Sequence, residues 1–504
     1  MSRFQDYEWT QNPEFCPGLV DMCAGFPLRI AGTPGKCPGG LEVATHIKNC
    51  IPLYHAPAGC AFQRKVHPFH QWELSYDIPC SGLSEVETIY GGNDRLFHAI
   101  KEVARRYKPD LIMVISTCTS EIIGEDFESV LEAVRKEIPC EVVYTNGYVR
   151  FPRPGIRDAL CSVIDQVVPK NQQKIKHSVN ICTLPWGFFD VRMSGLKELL
   201  ETIGVTVNGV YFAGTTVKQL KLFSRAELIV TDDRRAWCEL AEEKFGMKTI
   251  SLHDASRHMS WGKSLDYHPG SLNGIVFFLQ NVARELDLGD AAIEKIDALK
   301  TDAEKKLGTW KQKLKGTRIS MSSHDCHNLG TLMVRELGME CGVLIVKHPK
   351  WSFLKKETMD NMIQGRLEII RECQHSDPLV LEDPTIEEEI AALKQNDIDI
   401  AINPSNIPLC RREGIRAFRE LRFLCHHDPP LGFTYTLDLA KEMERLLKKP
   451  VPKTPPLLSL IRYSSSVHYP NMTDQWAKAG ECFQSIWACD SCEEGSHAKK
   501  ETKE

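Results

Sequence analysis

The sequence lacks the long apolar runs, the basic leader and the charge excess that define several classes of protein. No stretch of about 18 uncharged apolar residues occurs, so we expect no membrane-spanning helix. The opening, MSRFQDYEWTQNPEF, is acidic and polar rather than basic and then apolar, so we expect no secretory signal and a cytoplasmic protein. The net charge of −5 and the pI near 6.4 give no general electrostatic basis for binding nucleic acid or an anionic membrane.

Two nucleotide-binding motifs are absent as well. The sequence has no GxxxxGK loop followed by Ser or Thr, so any ATP that its reaction consumes would be hydrolysed by a partner. The glycine-rich segment GKCPGGLE does not match the GxGxxG fingerprint and follows no clear strand. We therefore expect no nicotinamide site.

Cysteine is the residue present in excess, with 19 among 504 residues. Because no secretory signal is expected, disulfides are not expected either, and the thiols should bind metal or lie in the core. Free cysteine is among the most buried residue types, so we expect about half of these thiols to be core residues. Cys50, Cys182 and Cys341 are examples.

Short apolar runs alternate with amphipathic segments along most of the chain. The run KPDLIMVISTC predicts a buried parallel strand between two helices, and the pattern returns from SVNICTLPWGF and from GTRISMSS. We therefore predict an α/β fold with three Rossmann-like, doubly wound parallel-sheet domains. The predicted boundaries are an N-terminal arm at 1–30, α/β domains at 31–175, 176–315 (with a helical connector) and 316–450, and a C-terminal extension with a disordered tail at 451–504.

Three cysteines lie where a doubly wound fold places ligands, after the carboxyl ends of predicted strands. Cys118 ends LIMVISTC, Cys60 ends IPLYHAPAGC in a predicted open loop, and Cys37 lies in GTPGKCPGG. Neighbouring Gly and Pro leave little side-chain bulk, which suits an iron–sulfur cluster, although turn residues beside incidental thiols would give the same pattern. Because a cubane cluster takes four thiolates, either this chain supplies a further ligand or a subunit interface completes the site.

The segments around these cysteines resemble the three P-cluster cysteine segments of nitrogenase component 1. They are Cys37, HAPAGC ending in Cys60, and STCTSEIIGED containing Cys118, while Tyr90-Gly91-Gly92 resembles the family's turn before a helix. The resemblance is strong over 31–130 and continues more weakly to about 450. The 58 residues from Cys60 to Cys118 are closer to the beta-type subunit, whereas LAEEKFGM, VRELGMECGV and GIRAFREL resemble the alpha-type subunit.

This resemblance implies an α2β2-type heterotetramer with a homologous second subunit, and a separate ATP-hydrolysing iron protein as its reductase. It implies that Cys37, Cys60 and Cys118 bind a P-cluster-type iron–sulfur cluster shared with the partner subunit. It also implies a larger iron–sulfur active-site cofactor elsewhere in the complex, which would reduce a small-molecule substrate.

The sequence departs from the family pattern where the alpha-type subunit holds that larger cofactor through one Cys and one His. The Cys position falls near Val230 or Thr231, with Cys238 the nearest thiol, and the His position falls on Arg422. The nearby Cys425 and His426 are candidate ligands in a changed register, since His is a common metal ligand and Cys a soft one. A subunit that holds no cofactor is the alternative.

Three further groups are weaker candidates. The run His324-Asp325-Cys326-His327 follows a predicted strand, where either substrate contacts or a simple helix cap would fit. The CDSC segment with Cys489 and Cys492 is a single CxxC, which is weak support for zinc or redox chemistry. His67 and His70 are better explained as core or interface histidines.

The function that this pattern favours is a catalytic subunit of a nitrogenase-like reductase. The missing Cys/His pair argues against an ordinary nitrogenase alpha subunit, and the remaining motifs do not resemble the chlorophyll-pathway reductases. Reductive C–S bond cleavage of the methylthio-alkane reductase type is then the best single prediction. The alternatives are a dinitrogen-reducing nitrogenase subunit, a cofactor-assembly scaffold without turnover, and a doubly wound binding protein without iron.

Overall fold

The computed structural model describes residues 36–66, 77–148, 152–182, 194–231, 236–252, 270–322, 329–346, 356–374, 376–418 and 432–451. These residues form three parallel sheets flanked by helices, so the predicted α/β fold with Rossmann-like sheets is confirmed. The predicted domain boundaries remain predictions, and the N-terminal arm at 1–30 lies outside the described residues. Among the described segments, no helix combines the length and the apolar composition needed to cross a membrane.

The first sheet has the order β1-β2-β3, formed by Cys50–His55, Leu111–Ser116 and Glu141–Thr145. All six residues of β2 are buried, as expected for a central parallel strand covered on both faces. The helices of this unit are α1 (Cys37–Thr45), α2 (Ala58–Val66), α3 (Glu85–Tyr90), α4 (Asn93–Tyr107), α5 (Cys118–Ile123), α6 (Phe127–Val134) and α7 (Pro152–Val167).

The amphipathic pattern of α4 shows why this segment is helical and where it packs. Leu96, Ile100, Val103 and Ala104 recur at helical spacing and are buried, while the opposite face is charged. Together with Leu53 of β1 and Val114 of β2 they form one apolar cluster. Complete burial of a side chain such as Leu96 contributes roughly 1.5–3 kcal/mol.

The second sheet has the order β5-β4-β6-β7. Its strands are β4 (Ser178–Cys182), β5 (Thr206–Tyr211), β6 (Leu228–Thr231) and β7 (Lys248–Ser251). Its helices are α8 (Ser194–Thr202), α9 (Val217–Leu220), α10 (Ala236–Phe245), α11 (Leu272–Glu285) and α12 (Asp290–Leu314), with a 3-10 turn at Phe223–Arg225. The charged connector segment forms α12, which leads to the third sheet.

The third sheet has the order β10-β9-β8-β11-β12. Its strands are β8 (Arg318–Ser322), β9 (Glu340–Val346), β10 (Leu379–Glu382), β11 (Ile400–Ile402) and β12 (Arg416–Phe418). Its helices are α13 (Leu329–Arg335), α14 (Lys356–Cys373), α15 (Ile386–Gln395), α16 (Ile407–Arg412) and α17 (Gly432–Lys448). The order changes direction on either side of β8, which is the arrangement of a doubly wound sheet.

The first two units share a single apolar core. Leu41 of α1 and Ile115 of β2 belong to the same buried cluster as Trp237 and Met247 of the second unit. A bridge between Ile47 and Thr215 also joins the units, since the Lys48 N–H donates to the Thr215 carbonyl at 2.8 Å. The first unit is therefore completed by residues of the second.

The predicted core thiols are partly confirmed. Cys182 and Cys341 are buried, as expected from the apolar strands that contain them. Cys50 is half-buried at the start of β1, and burial of its sulfur raises the pKa of the thiol.

Candidate functional site

The carboxyl ends of β1 and β2 bring the three predicted cysteine ligands to one edge of the first sheet. His55 ends β1 opposite Ser116, which ends β2. Cys60 follows in the first turn of α2, and Cys118 is the first residue of α5. Cys37 is the first residue of α1 and contacts the end of β2. This edge is where doubly wound folds bind their ligands.

The predicted open loop before Cys60 is wrong, because α2 already begins at Ala58. Pro57 immediately precedes this helix, and its carbonyl accepts the N–H of Cys60 at 3.0 Å. Proline is well tolerated at the start of a helix, because its missing N–H would have no partner within the helix there. The segment around Cys37 is likewise helical, with Pro38 in its first turn.

The Cys37 thiol is held against the end of β2. Its Sγ donates to the carbonyls of Ser116 and Gly147, both at 3.2 Å. A Cβ atom on Gly147 would lie 1.9 Å from the Ser116 carbonyl oxygen and 2.6 Å from the Cys37 sulfur. Only glycine fits at position 147, and its absence of a side chain is what lets Cys37 approach the turn before Cys118.

Cys118 lies close enough to Cys60 to contribute to the raised pKa of its thiol. Cys60 is half-buried, and burial raises the pKa of its thiol, with smaller contributions from the thiols of Cys118 and Cys80. Cys118 is exposed at the start of α5. Without a bound cation the raised pKa of Cys60 favours its protonated form, whereas a metal would displace the proton and bind the thiolate.

A buried pair beneath the cysteines joins the segments that contain Cys60 and Cys118. His55 Nδ1 is 2.9 Å from the Ser81 hydroxyl, and its Nε2 faces Glu125 Oε1 at 3.5 Å. The His55 and Glu125 side chains are 0% and 1% exposed. Burial lowers the pKa of His55 to about 4 and raises the pKa of Glu125. At neutral pH the imidazole is therefore neutral.

The turn at Tyr90-Gly91-Gly92 packs against this pair. Gly91 has φ +96°, a conformation that favours glycine. The Gly92 N–H donates to Glu125 Oε1 at 2.6 Å. A Cβ atom on Gly92 would lie 2.4 Å from a methyl carbon of Leu83 and 3.0 Å from Glu125 Oε1. The backbone conformation at Gly91 and the close contacts at Gly92 therefore explain why glycine occupies both positions.

An aromatic stack supports the site from below. The Phe127 ring meets His55 edge-on at 5.6 Å between centroids and stacks on Tyr144 at 4.2 Å. The Tyr144 hydroxyl donates to Glu121 in α5, and burial followed by this carboxylate raises the pKa of Tyr144. These contacts fix α5, and hence Cys118, relative to β1 and β3.

The cysteine edge is also the apolar part of the described surface. Nine large apolar side chains are exposed among the described residues, and six of them lie on the elements that contain or adjoin the three cysteines. Contact between α3 and α5 brings the exposed apolar residues of these two helices to neighbouring positions. These six residues form the apolar face: Phe62 on α2, Val86, Ile89 and Tyr90 on α3, Ile122 on α5, and Tyr148 beside Gly147.

The separation of the thiols indicates whether they could bind a single metal ion or a cluster. Among the residues that the structure describes, no three His, Cys, Asp or Glu side chains come close enough to bind a single metal ion. A polynuclear cluster places its thiolates on different irons and so accepts a wider separation. Three thiols on one sheet edge, one of them exposed, are a donor set that fits an iron–sulfur cluster.

The other sequence candidates lie either outside the described residues or in the second unit. Cys425 and His426, Arg422, the 324–327 run, His67 and His70, and the CDSC cysteines all lie outside the described residues. Val230 and Thr231 are buried at the end of β6. Cys238 is buried in the shared core beside Trp237. Within the described part of the chain, the expected Cys position of the larger cofactor therefore contains no thiol.

The sequence interpretation missed His55, Ser81 and Glu125. His55 and Glu125 lie inside the HAPAGC and STCTSEIIGED segments, and this position is the sequence feature that could have identified them as site residues. Their partnership depends on the pairing of β1 with β2, which brings together residues 70 positions apart.

Comparisons with known proteins identify the family and the fold of this chain. The profile of the family described as "Nitrogenase component 1 type Oxidoreductase" matches residues 37–448. The chain is 23% identical to the "Nitrogenase iron-molybdenum cofactor biosynthesis protein NifE" of Nostoc sp., over 83% of this chain and 85% of that protein. It is 33% identical to the "Nitrogenase vanadium-iron protein beta chain" of Trichormus variabilis, over 34% of this chain and 38% of that protein.

A solved structure has the same fold. The structure described as "Nitrogenase Cp1 at pH 5" superimposes with a TM-score of 0.55 at 20% sequence identity. The match covers 85% of this chain and 91% of the other. The likeness therefore extends over all three sheets.

Proposed function

This chain belongs to the nitrogenase component 1 type oxidoreductase family, and on that premise we propose that it is one subunit of a heteromeric nitrogenase-like complex. In this proposal Cys37, Cys60 and Cys118 hold part of an iron–sulfur cluster shared with a homologous subunit. The observation that supports it most directly is the meeting of these three cysteines at one sheet edge, on elements that contain or adjoin the residues of the apolar face.

The burial of the thiols suits a cluster at a subunit boundary. Cys37 and Cys60 are half-buried, whereas Cys118 is exposed, so a group bound by all three would lie between this chain and whatever covers it. A P-cluster-type cluster bound there would supply one-electron transfer toward the active site of the complex. This chain's own contribution is to position the sulfurs and to exclude water beneath them.

The residues under the cysteines perform that positioning. The neutral His55, its contact with Glu125 and the Gly92 N–H bond join the two cysteine segments without a buried net charge on the imidazole. The Phe127 and Tyr144 rings close the space below. Rigid support of this kind keeps the ligands from rearranging when the cluster changes charge.

The apolar face is the proposed docking surface for the homologous subunit. Tyr90 is 84% exposed and Ile89 is 73% exposed, which is uncommon for side chains of this size in a grouped patch. Aromatic residues and depletion of charge at the centre are features of protein interfaces. The family membership supports an α2β2-type assembly and a separate ATP-hydrolysing iron protein as electron donor.

For the activity of the complex, we propose reductive C–S bond cleavage of methylthio-alkanes. The support is the absence of a thiol at Val230 and Thr231, which sets this chain apart from an alpha-type subunit that holds the larger cofactor there. Cys425 and His426 remain the candidate ligands if this chain holds an active-site cofactor.

A second candidate is a cofactor-assembly scaffold, which would build a cluster and transfer it without turnover. The observation in its favour is the similarity to the NifE-type biosynthesis protein across most of both chains. The scaffold would retain the same cysteine edge and the same docking face.

Anaerobic purification of this chain with its partner, followed by iron and sulfide determination and EPR, tests the cluster. Iron and EPR signals lost on Cys60→Ala support it, and an iron-free complex contradicts it. Turnover of methylthio-alkanes or dinitrogen with the iron protein, ATP and a reductant then separates reductase from scaffold. A scaffold would show no turnover but would transfer its cluster to an acceptor protein.

A further inference from the structure

A fourth cysteine, Cys80, lies at the same edge as the three predicted ligands. The segment 79–83 runs beside the end of β1, with a parallel bridge between Tyr54 and Cys80. The Tyr54 N–H donates to the Pro79 carbonyl, the Ser81 N–H to Tyr54, and the Leu83 N–H to Ala56, each at 2.9 Å. Cys80 is therefore fixed beside the turn that leads from β1 into α2.

The Cys80 thiol meets the backbone of the Cys60 segment. Its Sγ donates to the Ala56 carbonyl at 3.1 Å and lies 3.7 Å from the Pro57 carbonyl oxygen. The same Pro57 oxygen accepts the N–H of Cys60 at 3.0 Å. One peptide oxygen thus lies between the thiol of Cys80 and the backbone of Cys60.

Cys37 has the corresponding relationship to the Cys118 segment. Its thiol donates to the Ser116 carbonyl, two residues before Cys118, as the Cys80 thiol donates to Ala56, four residues before Cys60. Each thiol is thus hydrogen-bonded to the backbone that leads to a predicted ligand, Cys37 at the end of β2 and Cys80 just after the end of β1. The electrostatic effect of Cys80 on Cys60 agrees with this proximity, since it contributes to the raised pKa of Cys60.

We propose that Cys80 is a fourth thiolate ligand of the cluster, so that this chain alone can hold a four-thiolate iron–sulfur cluster before its partner docks. This inference rests on the proposed function, because it adds a ligand to the same group. A cubane cluster takes four thiolates, and Cys37, Cys60, Cys80 and Cys118 supply that number. On binding iron, each of the four thiols would release its proton to solvent, and Cys37 and Cys80 would exchange their carbonyl hydrogen bonds for Fe–S bonds.

Cys140 provides a matched control for Cys80. It is also half-buried in the first unit, and burial raises the pKa of both thiols. It directly precedes Glu141, which pairs with Leu111 at the amino ends of β3 and β2. Cys140 therefore lies at the end of the sheet away from the proposed cluster.

The test uses the full-length chain without its partner, reconstituted anaerobically with ferrous iron and sulfide. We expect wild type and Cys140→Ala to bind equal iron and sulfide, and Cys80→Ala to lose roughly half or more of both. Cys80→Ser keeps a hydroxyl that can donate to Ala56, so it should fold as wild type, as judged by circular dichroism, and give an altered EPR signal.

A measurement on the wild-type chain tests the proposal without relying on the folding of variants. Alkylation followed by mass spectrometry should modify Cys80 in the iron-free chain and not after reconstitution, while Cys140 reacts equally in both. If Cys80→Ala and Cys80→Ser keep the iron content and EPR signal of wild type while Cys60→Ala loses them, Cys80 is not a ligand. That result would leave the proposed function standing. An isolated chain that binds no iron would also overturn the role of Cys80, and iron in the co-purified complex would then still support the shared cluster.

Discussion

His55 and Glu125 face each other across 3.5 Å in the interior, each closed to solvent, directly below the segments that contain Cys60 and Cys118. Burial disfavours the charged form of both groups: it lowers the pKa of His55 to about 4 and raises the pKa of Glu125. A pair of titratable side chains therefore lies among the residues that support the proposed cluster. Its protonation should therefore affect the stability of the site.

The first prediction concerns the pH dependence of that pair. The pKa of His55 is about 4 in the folded chain against an ordinary value of 6.5, so the unfolded chain binds more protons between these pH values. The stability contributed by a neutral His55 is complete above about pH 6.5 and is lost as pH falls toward 4, a change of about 3 kcal/mol.

Comparison with His55→Gln checks this prediction. Glutamine can still bond to Ser81 but does not titrate, and Glu125, whose raised pKa acts in the opposite direction, is retained in both proteins. The difference in unfolding free energy between wild type and variant, measured by urea titration of the iron-free chain, should increase from pH 4.5 to 6.5. Parallel curves for the two proteins would contradict the assignment.

Gly92→Ala should destabilise the site by roughly 1–3 kcal/mol, because its Cβ would overlap Leu83 and crowd Glu125. Gly59→Ala is the control, since a Cβ there meets nothing within 4 Å. Thermal unfolding of both variants measures the effect. A Gly92→Ala midpoint as high as that of Gly59→Ala would show that the turn relaxes without cost.

Ile89→Asp should weaken association with the homologous subunit by about tenfold or more, because it introduces a charge into the apolar face. Leu379→Asp, an exposed position on β10 in the third sheet, should leave association unchanged. Sedimentation of the co-expressed subunits measures both. Equal losses, or none, would place the partner elsewhere.

Cys60→Ala or Cys118→Ala should remove the shared cluster and the activity of the complex together. Cys238→Ala should leave the iron content unchanged, because Cys238 is buried in the core, although the small cavity would cost about 1 kcal/mol. Iron determination and turnover of the co-purified complex provide the measurement. Wild-type turnover in either of the first two variants would refute the ligand assignment.

Local patterns predicted the elements of this fold well because each element forms from contiguous residues. NDRLFHAIKEVARRY, the amphipathic segment before KPDLIMVISTC, is α4 residue for residue. Gly246, with φ +64°, follows the end of α10, where glycine commonly ends a helix. Cys60 was expected in a loop, because its Pro and Gly neighbours are common to loops and to helix starts. The helix assignment depends on the Pro57 carbonyl bond, which composition alone does not reveal.

The supports of the site were less predictable because they join distant parts of the chain. The partners of Glu125 are Gly92 and His55, and neither motif spacing nor periodicity indicates those contacts. Cys80 belongs to no motif in the sequence, and only its bridge to Tyr54 brings it to the edge. Register between strands, rather than residue type, decides such contacts.

The core shared by the first two units has a consequence for biosynthesis. All the residues of the cysteine edge are translated by position 148, yet their sheet packs on Trp237 and Met247 and is joined to Thr215. A nascent chain that stops short of these residues leaves apolar surface of the first unit uncovered. Iron delivery during synthesis should therefore wait until about half of the polypeptide has left the ribosome.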